Sequence, residues 1–293
     1  MRRRIGAGRI RGEGYKGSHW LPEGSKLPGI LLTKTGVRKV GGRVWGKVSS
    51  VKIEMDTDQD RSTEFRGVGA AEEHLSLTAD KPMEVFGPAW ENYTERIGDA
   101  LSRLTAGDVL VLAGDTSWGI DLNEAEADFR FLDQFPCKKY LVKGNHDYWW
   151  STVSKMKNFF TEKGLTTLDF LHNNCALYGD YALCGTRGWF FEEDQKPHNA
   201  KVLNRELLRL ETSLKAAGEK PIFCFLHYPP LYQGYQCPEI LSLLETYKVE
   251  LCCYGHLHGP VIRRRQEGKY GNTEFSLISG DYLGFVPKKI CEK

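Results

Sequence analysis

The sequence predicts an α/β fold of mixed sheets covered by helices, and three observations carry that expectation. Through the middle of the chain, amphipathic helical spacing alternates with short apolar runs, the pattern of strands joined by crossover helices. Later stretches carry strand signals with no helix between them, which points to antiparallel neighbours. Four of the apolar runs also end in polar clusters of one chemical type, and strand ends are where α/β folds place working groups.

Taken in order, the first 46 residues hold 11 glycines among scattered Arg and Lys. That composition loses much backbone entropy on ordering and offers little apolar area in return, so disorder is expected. Ile30-Leu31-Leu32 and the stretch Val44 to Met55 stand apart, the second reading as a small hairpin or appendage. Asp56 to Glu64 reads as a linker. Trp90, Tyr93, Ile97, Leu101 and Leu104 form one face of a helix, followed by a strand over 108–113. Leu122, Ala125, Phe129 and Leu132 repeat the helical spacing until Pro136 stops it. Tyr140-Leu141-Val142 is the next strand, and Ser151 is placed to cap a helix carrying Val153, Met156 and Phe160. Strand signals follow at 167–171, 175–179 and 181–185. Leu203, Leu207, Leu210 and Leu214 mark a helix, 221–226 a strand, 240–247 a helix and 249–254 a strand. The segments 261–265 and 273–279 read as a hairpin.

The chain has 293 residues, 41% hydrophobic and 27% charged, which suffices for one large domain or two modest ones. Its net charge of +2 conceals a division: residues 1–66 hold 15 Lys and Arg against 7 Asp and Glu, leaving 25 against 31 for residues 67–293. Two domains follow, a basic Gly/Arg-rich extension over 1–66 and a helix-strand domain over 67–293. The basic extension leaves nucleic-acid binding open, although solvated charge is the simpler reading. Eight cysteines show no C-x-x-C spacing, and Cys184, Cys224, Cys252 and Cys253 lie in apolar runs, as reduced buried thiols do. An apolar h-region and a membrane-length apolar run are both missing, so a cytoplasmic protein without membrane contact is expected. Oligomeric state is not legible.

The polar clusters are Gly114-Asp115, Gly144-Asn145-His146-Asp147, His227 and Gly255-His256-Leu257-His258, with His74-Leu75-Ser76 a fifth. Ends of adjacent strands lie about 4.8 Å apart, so residues just past several of them converge. A convergent set of His, Asp and Asn without Cys suits a metal of borderline to hard character, such as Mn, Fe or Zn. His256 and His258, two apart on extended chain, would face opposite sides and serve two metals, with Asp115 between them. The glycines before Asp115, Asn145 and His256 remove side chains that would crowd the ions.

This series resembles the signature of calcineurin-like metallophosphoesterases. Within that family, His74-Leu75-Ser76, Asp80-Lys81-Pro82-Met83, Gly144 to Trp150, Gly185-Thr186-Arg187-Gly188-Trp189 and His227-Tyr228-Pro229-Pro230 are similar to a bacterial branch of predicted phosphohydrolases. The resemblance implies a four-layer α/β/β/α sandwich of two mixed sheets, and hydrolysis of a phosphoester by a hydroxide bridging two divalent or trivalent ions. Carried over by position, one metal takes His74, Asp115, His258 and the acidic Glu72. The other takes Asp115, Asn145, His227 and His256. His146 is then the general acid, Asp147 orients its ring, and Arg187 is a candidate phosphate clamp. Trp149, Trp150, Trp189 and Phe190 are candidate pocket walls.

One position departs from the family. Glu72 stands where an Asp is expected, and the preceding Gly67-Val68-Gly69-Ala70-Ala71 is a weak strand sequence. Three readings compete: Glu72 binds metal regardless, the first metal position is impaired and the protein is a metal-binding scaffold, or the chain before His74 is foreign to the rest. The abrupt change in composition and charge favours the third.

Overall fold

The computed structural model describes residues 19–22, 30–40, 43–53, 67–189 and 196–292. The chain divides into two compact units, Met1–Thr63 and Glu64–Lys293. In the first, β1 (His19–Pro22), β2 (Ile30–Val40) and β3 (Arg43–Ile53) form an antiparallel sheet in the order β1-β3-β2. The disorder expected to residue 46 falls mainly outside the described residues; where they are described, they are strands. The linker expected at 56–64 lies outside them as well.

In the second unit, β4 (Gly67–Ala71) is followed by α1 (Tyr93–Leu101), β5 (Val109–Leu112), α2 (Glu126–Asp133), β6 (Lys138–Leu141), α3 (Val153–Lys163) and β7 (Leu168–Phe170). These strands assemble in parallel, and β16 (Lys288–Glu292) returns to pair antiparallel with β4, giving the order β16-β4-β5-β6-β7. The second sheet contains β8 (Cys175–Tyr178) and β9 (Tyr181–Thr186), then α4 (Lys196–Lys215) leads to β10 (Ile222–Leu226). A short ribbon, β11 (Leu231–Tyr232) with β12 (Tyr235–Gln236), precedes α5 (Pro238–Thr246) and β13 (Leu251–Tyr254). Then come β14 (Gly268–Tyr270), β15 (Thr273–Leu277) and the one-turn α6 (Gly280–Leu283). The order is β14-β15-β13-β10-β9-β8, with antiparallel pairs at both edges.

The layers follow from strand periodicity. Successive side chains point to opposite faces, so Leu110 and Leu112 of β5 pack with Ile97, Phe129 and Phe160 of the helices, while Val109 and Val111 face Phe223, Phe225 and Cys253 of the other sheet. On β10, Cys224 and Leu226 turn to Leu210, Leu214 and Leu244 of α4 and α5. Helices thus cover the outer face of each sheet, and the two inner faces share one apolar core.

Several expectations are corrected. Gly67–Ala71 is a buried strand between β5 and β16, so the chain from Gly67 onward belongs to the sheet. Its small side chains suit a position crowded on both faces, and the Asp108 carboxylate anchors its start by accepting the Gly67 N–H at 2.9 Å. The cap of α3 is Thr152, whose hydroxyl accepts the Lys155 N–H at 3.3 Å, in place of Ser151. The segment Gly259–Arg264 is a 3-10 helix, so the late hairpin is β14 with β15. The return of β16 had no strong pattern to announce it. All eight cysteines are free.

Candidate metal centre

Every polar cluster lies just past the carboxyl end of a parallel strand: Glu72 and His74 after β4, Asp115 after β5, Asn145 and His146 after β6, His227 after β10, His256 and His258 after β13. The backbone there is unusual. His74, Asp115 and His256 have φ of 55°, 49° and 69°, a region that non-glycine residues seldom occupy and that concentrates at functional sites. Three glycines here are required by space: a Cβ on Gly114 would stand 2.6 Å from His227 Nδ1. A Cβ on Gly144 would stand 2.0 Å from Asp115 Oδ1, and one on Gly255 would stand 2.6 Å from Glu72 Oε2.

Two groups of donor atoms form. In the first, His74 Nε2 and His258 Nε2 are 3.0 Å apart, Glu72 Oε2 is 3.3 Å from His258 Nε2 and Glu72 Oε1 is 3.8 Å from His74 Nε2. In the second, Asp115, His227 and His256 place donor atoms within 4.8 Å of one another, with Asn145 Oδ1 2.6 Å from His227 Nε2. The same oxygen, Asp115 Oδ2, lies 3.8 Å from His74 Nε2 and 3.5 Å from His227 Nε2, so it faces a histidine of each group. Donors around an ion at roughly 2.0–2.2 Å stand about 3–3.5 Å apart. The spacing and the nitrogen-oxygen composition therefore fit divalent metal ions.

Electrostatics agree with a site made for cations. Burial alone would raise the Glu72 carboxyl, but His258 and His227 outweigh it and hold it well below the usual range. Burial raises Asp115. Burial pushes the His256 imidazole down to about 3. His258 is lifted to about 10, against burial, by Glu72 and Asp281. Glu73, also buried, is pushed up to about 8 by burial and by Glu72 next to it.

His146 donates its backbone N–H to Asp115 Oδ1 at 2.7 Å, and its Nδ1 lies 3.2 Å from Tyr148 Oη. Burial, and after it His227, holds its imidazole below the usual value. Asp147 departs from expectation. Its buried carboxylate accepts the backbone N–H groups of Gly144 at 2.7 Å, Asp115 at 3.0 Å and Thr116 at 2.8 Å, and the Trp149 indole N–H at 3.0 Å. It ties the β5 and β6 loops together, and the hydroxyl beside His146 Nδ1 is that of Tyr148. Arg187 is drawn to Glu206, with Nη2 3.5 Å from Oε1. Trp149 and Trp189 are buried in the two helix-facing cores, Trp150 packs against the first of them, and Phe190 lies outside the described residues. Sequence reading missed Asp281, whose carboxylate holds His258 Nδ1; a single Asp at a helix start carries no signal of its own.

Two mixed sheets with histidine and acid clusters at parallel strand ends define the metallophosphoesterase class. Residues 87–260 match the family model of calcineurin-like phosphoesterases, more than half of the chain, and the chain belongs to that family. Family membership supports metal-dependent hydrolysis of phosphoesters. Glu72 and His74 lie outside the matched span. No curated protein matches the chain. Among solved structures, protein AQ665 of unknown function from Aquifex aeolicus is 12% identical, covering 75% of this chain and 93% of its own, with a TM-score of 0.41. TT1561 of Thermus thermophilus is 15% identical, covering 72% of this chain and 88% of its own, with a TM-score of 0.42. No helix among the described residues is long and apolar enough to cross a membrane.

Proposed function

We propose that residues 67–293 hydrolyse phosphoric esters with two metal ions, with residues 1–66 an accessory extension. The first ion would take Glu72, His74, Asp115 and His258, the second Asp115, Asn145, His227 and His256. The observation that carries this reading is the position of Asp115 Oδ2 between one histidine of each donor group. Metal ions held there would polarise the phosphoryl oxygens and lower the pKa of a coordinated water from 15.7 to about 7.

The chain's own residues supply the rest. His146 is anchored through its backbone N–H by Asp115 and through Nδ1 by Tyr148, which leaves Nε2 to give a proton to the leaving oxygen. General acid catalysis of this kind contributes roughly 10²–10⁴-fold. Burial disfavours the imidazolium, but a phosphoester anion beside the ring favours it, so substrate binding itself loads the acid. Asp147 keeps the loops bearing Asp115 and His146 in register. Arg187, only partly engaged by Glu206, is a candidate to hold a phosphoryl oxygen through its planar fork.

The test is hydrolysis of an aryl phosphate by the full chain reconstituted with Mn, Fe or Zn. Turnover, lost in His146→Ala with metal content unchanged, supports the reading; no hydrolysis with any of the three ions overturns it. A scaffold reading draws on Glu72, both of whose oxygens are within hydrogen-bonding distance of the His256 N–H, at 3.1 and 2.9 Å. Near two ions per chain favours the enzyme, one or none the scaffold.

A further inference from the structure

Beside the donor groups lies a cavity of about 240 Å³ with two unlike walls. One is formed by His74, His146 and His258, the other by Met83, Phe86, Trp90 and Trp118. Sequence alone does not announce the second wall, because Met83, Phe86 and Trp90 come from two short 3-10 turns and Trp118 from the loop after β5. The two walls touch: the rings of Trp118 and His146 are 4.3 Å apart at 35°, and Trp90 lies 5.7 Å from both His74 and His258. Lys81 Nζ stands 4.2 Å over the Trp118 ring and pins the indole. The lining runs from buried Met83 to Phe86, which is 55% exposed, so the cavity opens outward.

We propose that this enzyme takes phosphoesters whose leaving group is a flat apolar ring, seated between Trp118, Phe86, Trp90 and Met83 while its oxygen meets His146. The inference rests on the phosphoesterase reading and names its substrate class. The cavity is smaller than the roughly 300–1,000 Å³ that encloses a whole drug-sized ligand, so it suits one part of a substrate. His146 fixes which part, since the group beside the acid is the one that leaves. A polyol leaving group would press hydroxyls against carbon and lose their hydrogen bonds to water without replacement. An aromatic ring instead gains offset or edge contacts with the indoles and Phe86. Once seated, it excludes water from the imidazole and strengthens the field that favours proton transfer.

The experiment compares benzyl and ethyl phosphate, whose alcohols are of similar acidity, on the metal-loaded full chain. The expected kcat/KM ratio is at least about tenfold in favour of benzyl, in line with the discrimination an apolar pocket achieves. Phe86→Ser and Trp118→Ser should each bring that ratio toward one, and the exposure of Phe86 keeps the first variant folded. A ratio near one in the unaltered protein, or a ratio that neither substitution moves, overturns the inference. A second measurement is independent of turnover: tryptophan fluorescence titrated with benzylphosphonate and methylphosphonate. Tighter binding of the benzyl compound by at least about tenfold supports the cavity assignment, and equal binding overturns it. Failure to hydrolyse any ester would count against the phosphoesterase reading alone, because the phosphonate comparison still decides the cavity.

Discussion

His258 Nδ1 lies 2.8 Å from Asp281 Oδ1, and Asp281 Oδ2 accepts the Gly259 N–H at 2.8 Å. One carboxylate from the start of α6 thus fixes both the imidazole and the turn that follows it. With Nδ1 held by Asp281, Nε2 is the nitrogen directed toward His74 and Glu72, and a metal bound there would displace its proton, the arrangement in which a second carboxylate orients a metal-binding histidine. Asp281→Asn should weaken metal affinity by roughly 10–100-fold. Titration of the metal-free protein with Mn, alongside a thermal melt showing an intact fold, checks this; unchanged affinity would refute it.

Gly144 tests the packing of the β5 and β6 loops. Its Cα faces Asp115 so closely that an added Cβ would meet Asp115 Oδ1 at 2.0 Å and its backbone N at 2.2 Å. Gly144→Ala must displace backbone as well as side chain, a change that costs typically about 1–3 kcal/mol. Lower denaturant resistance together with loss of metal binding is expected, because Asp115 belongs to the donor set.

Asp128 is buried away from the donor atoms, where it accepts the Leu77 N–H at 2.9 Å and the Ser117 hydroxyl. Burial raises its carboxyl above 3.8. The native state therefore holds the proton more tightly than the unfolded chain, and stability from this group is lost as pH rises from 3.8 through the raised native value. Asp128→Asn removes that titration. Urea midpoints of the metal-free protein between about pH 3 and pH 7 should fall less steeply, relative to one another, in the variant than in the parent chain; parallel profiles would contradict the assignment.

Lys139 is completely buried on β6. Its Nζ donates to Phe135 O at 2.6 Å, Cys137 O at 2.8 Å and Thr167 Oγ1 at 3.1 Å. Lys139→Met fills similar volume but strands these acceptors, so a loss of about 1–3 kcal/mol in unfolding free energy is expected. Equilibrium denaturation measures it, and a stabilised variant would show that desolvation of the ammonium outweighs its three bonds.

Local pattern made most of the unit after residue 67 legible. Leu110 and Leu112 against Val109 and Val111 is an alternation that any sheet buried on both faces reproduces, and the helix through Tyr93, Ile97 and Leu101 follows its 3.6-residue period. The weak points are equally physical. Gly67–Ala71 carries one β-branched residue, Val68, among two glycines and two alanines, so its strand signal is poor although it is buried throughout between β16 and β5. The 3-10 turn at Gly259–Arg264 replaces an expected strand, entered through Gly259 at a φ of 55° and with Pro260 in its first turn.

From the sequence alone came the inventory: which strands end in Asp, Asn or His, and that no cysteine is paired by spacing. Those are local properties of short segments. Tertiary structure decided their company. It put Asp115 Oδ2 between His74 and His227, gave Glu72 a buried place against His258, and moved Asp147 from the His146 ring to the backbone N–H groups of two loops. It also brought Asp281 to His258 across 23 residues and set Trp118 against His146. Such relations depend on distances between separate strand ends and loops, which the order and register of the sheets establish and which no single segment encodes.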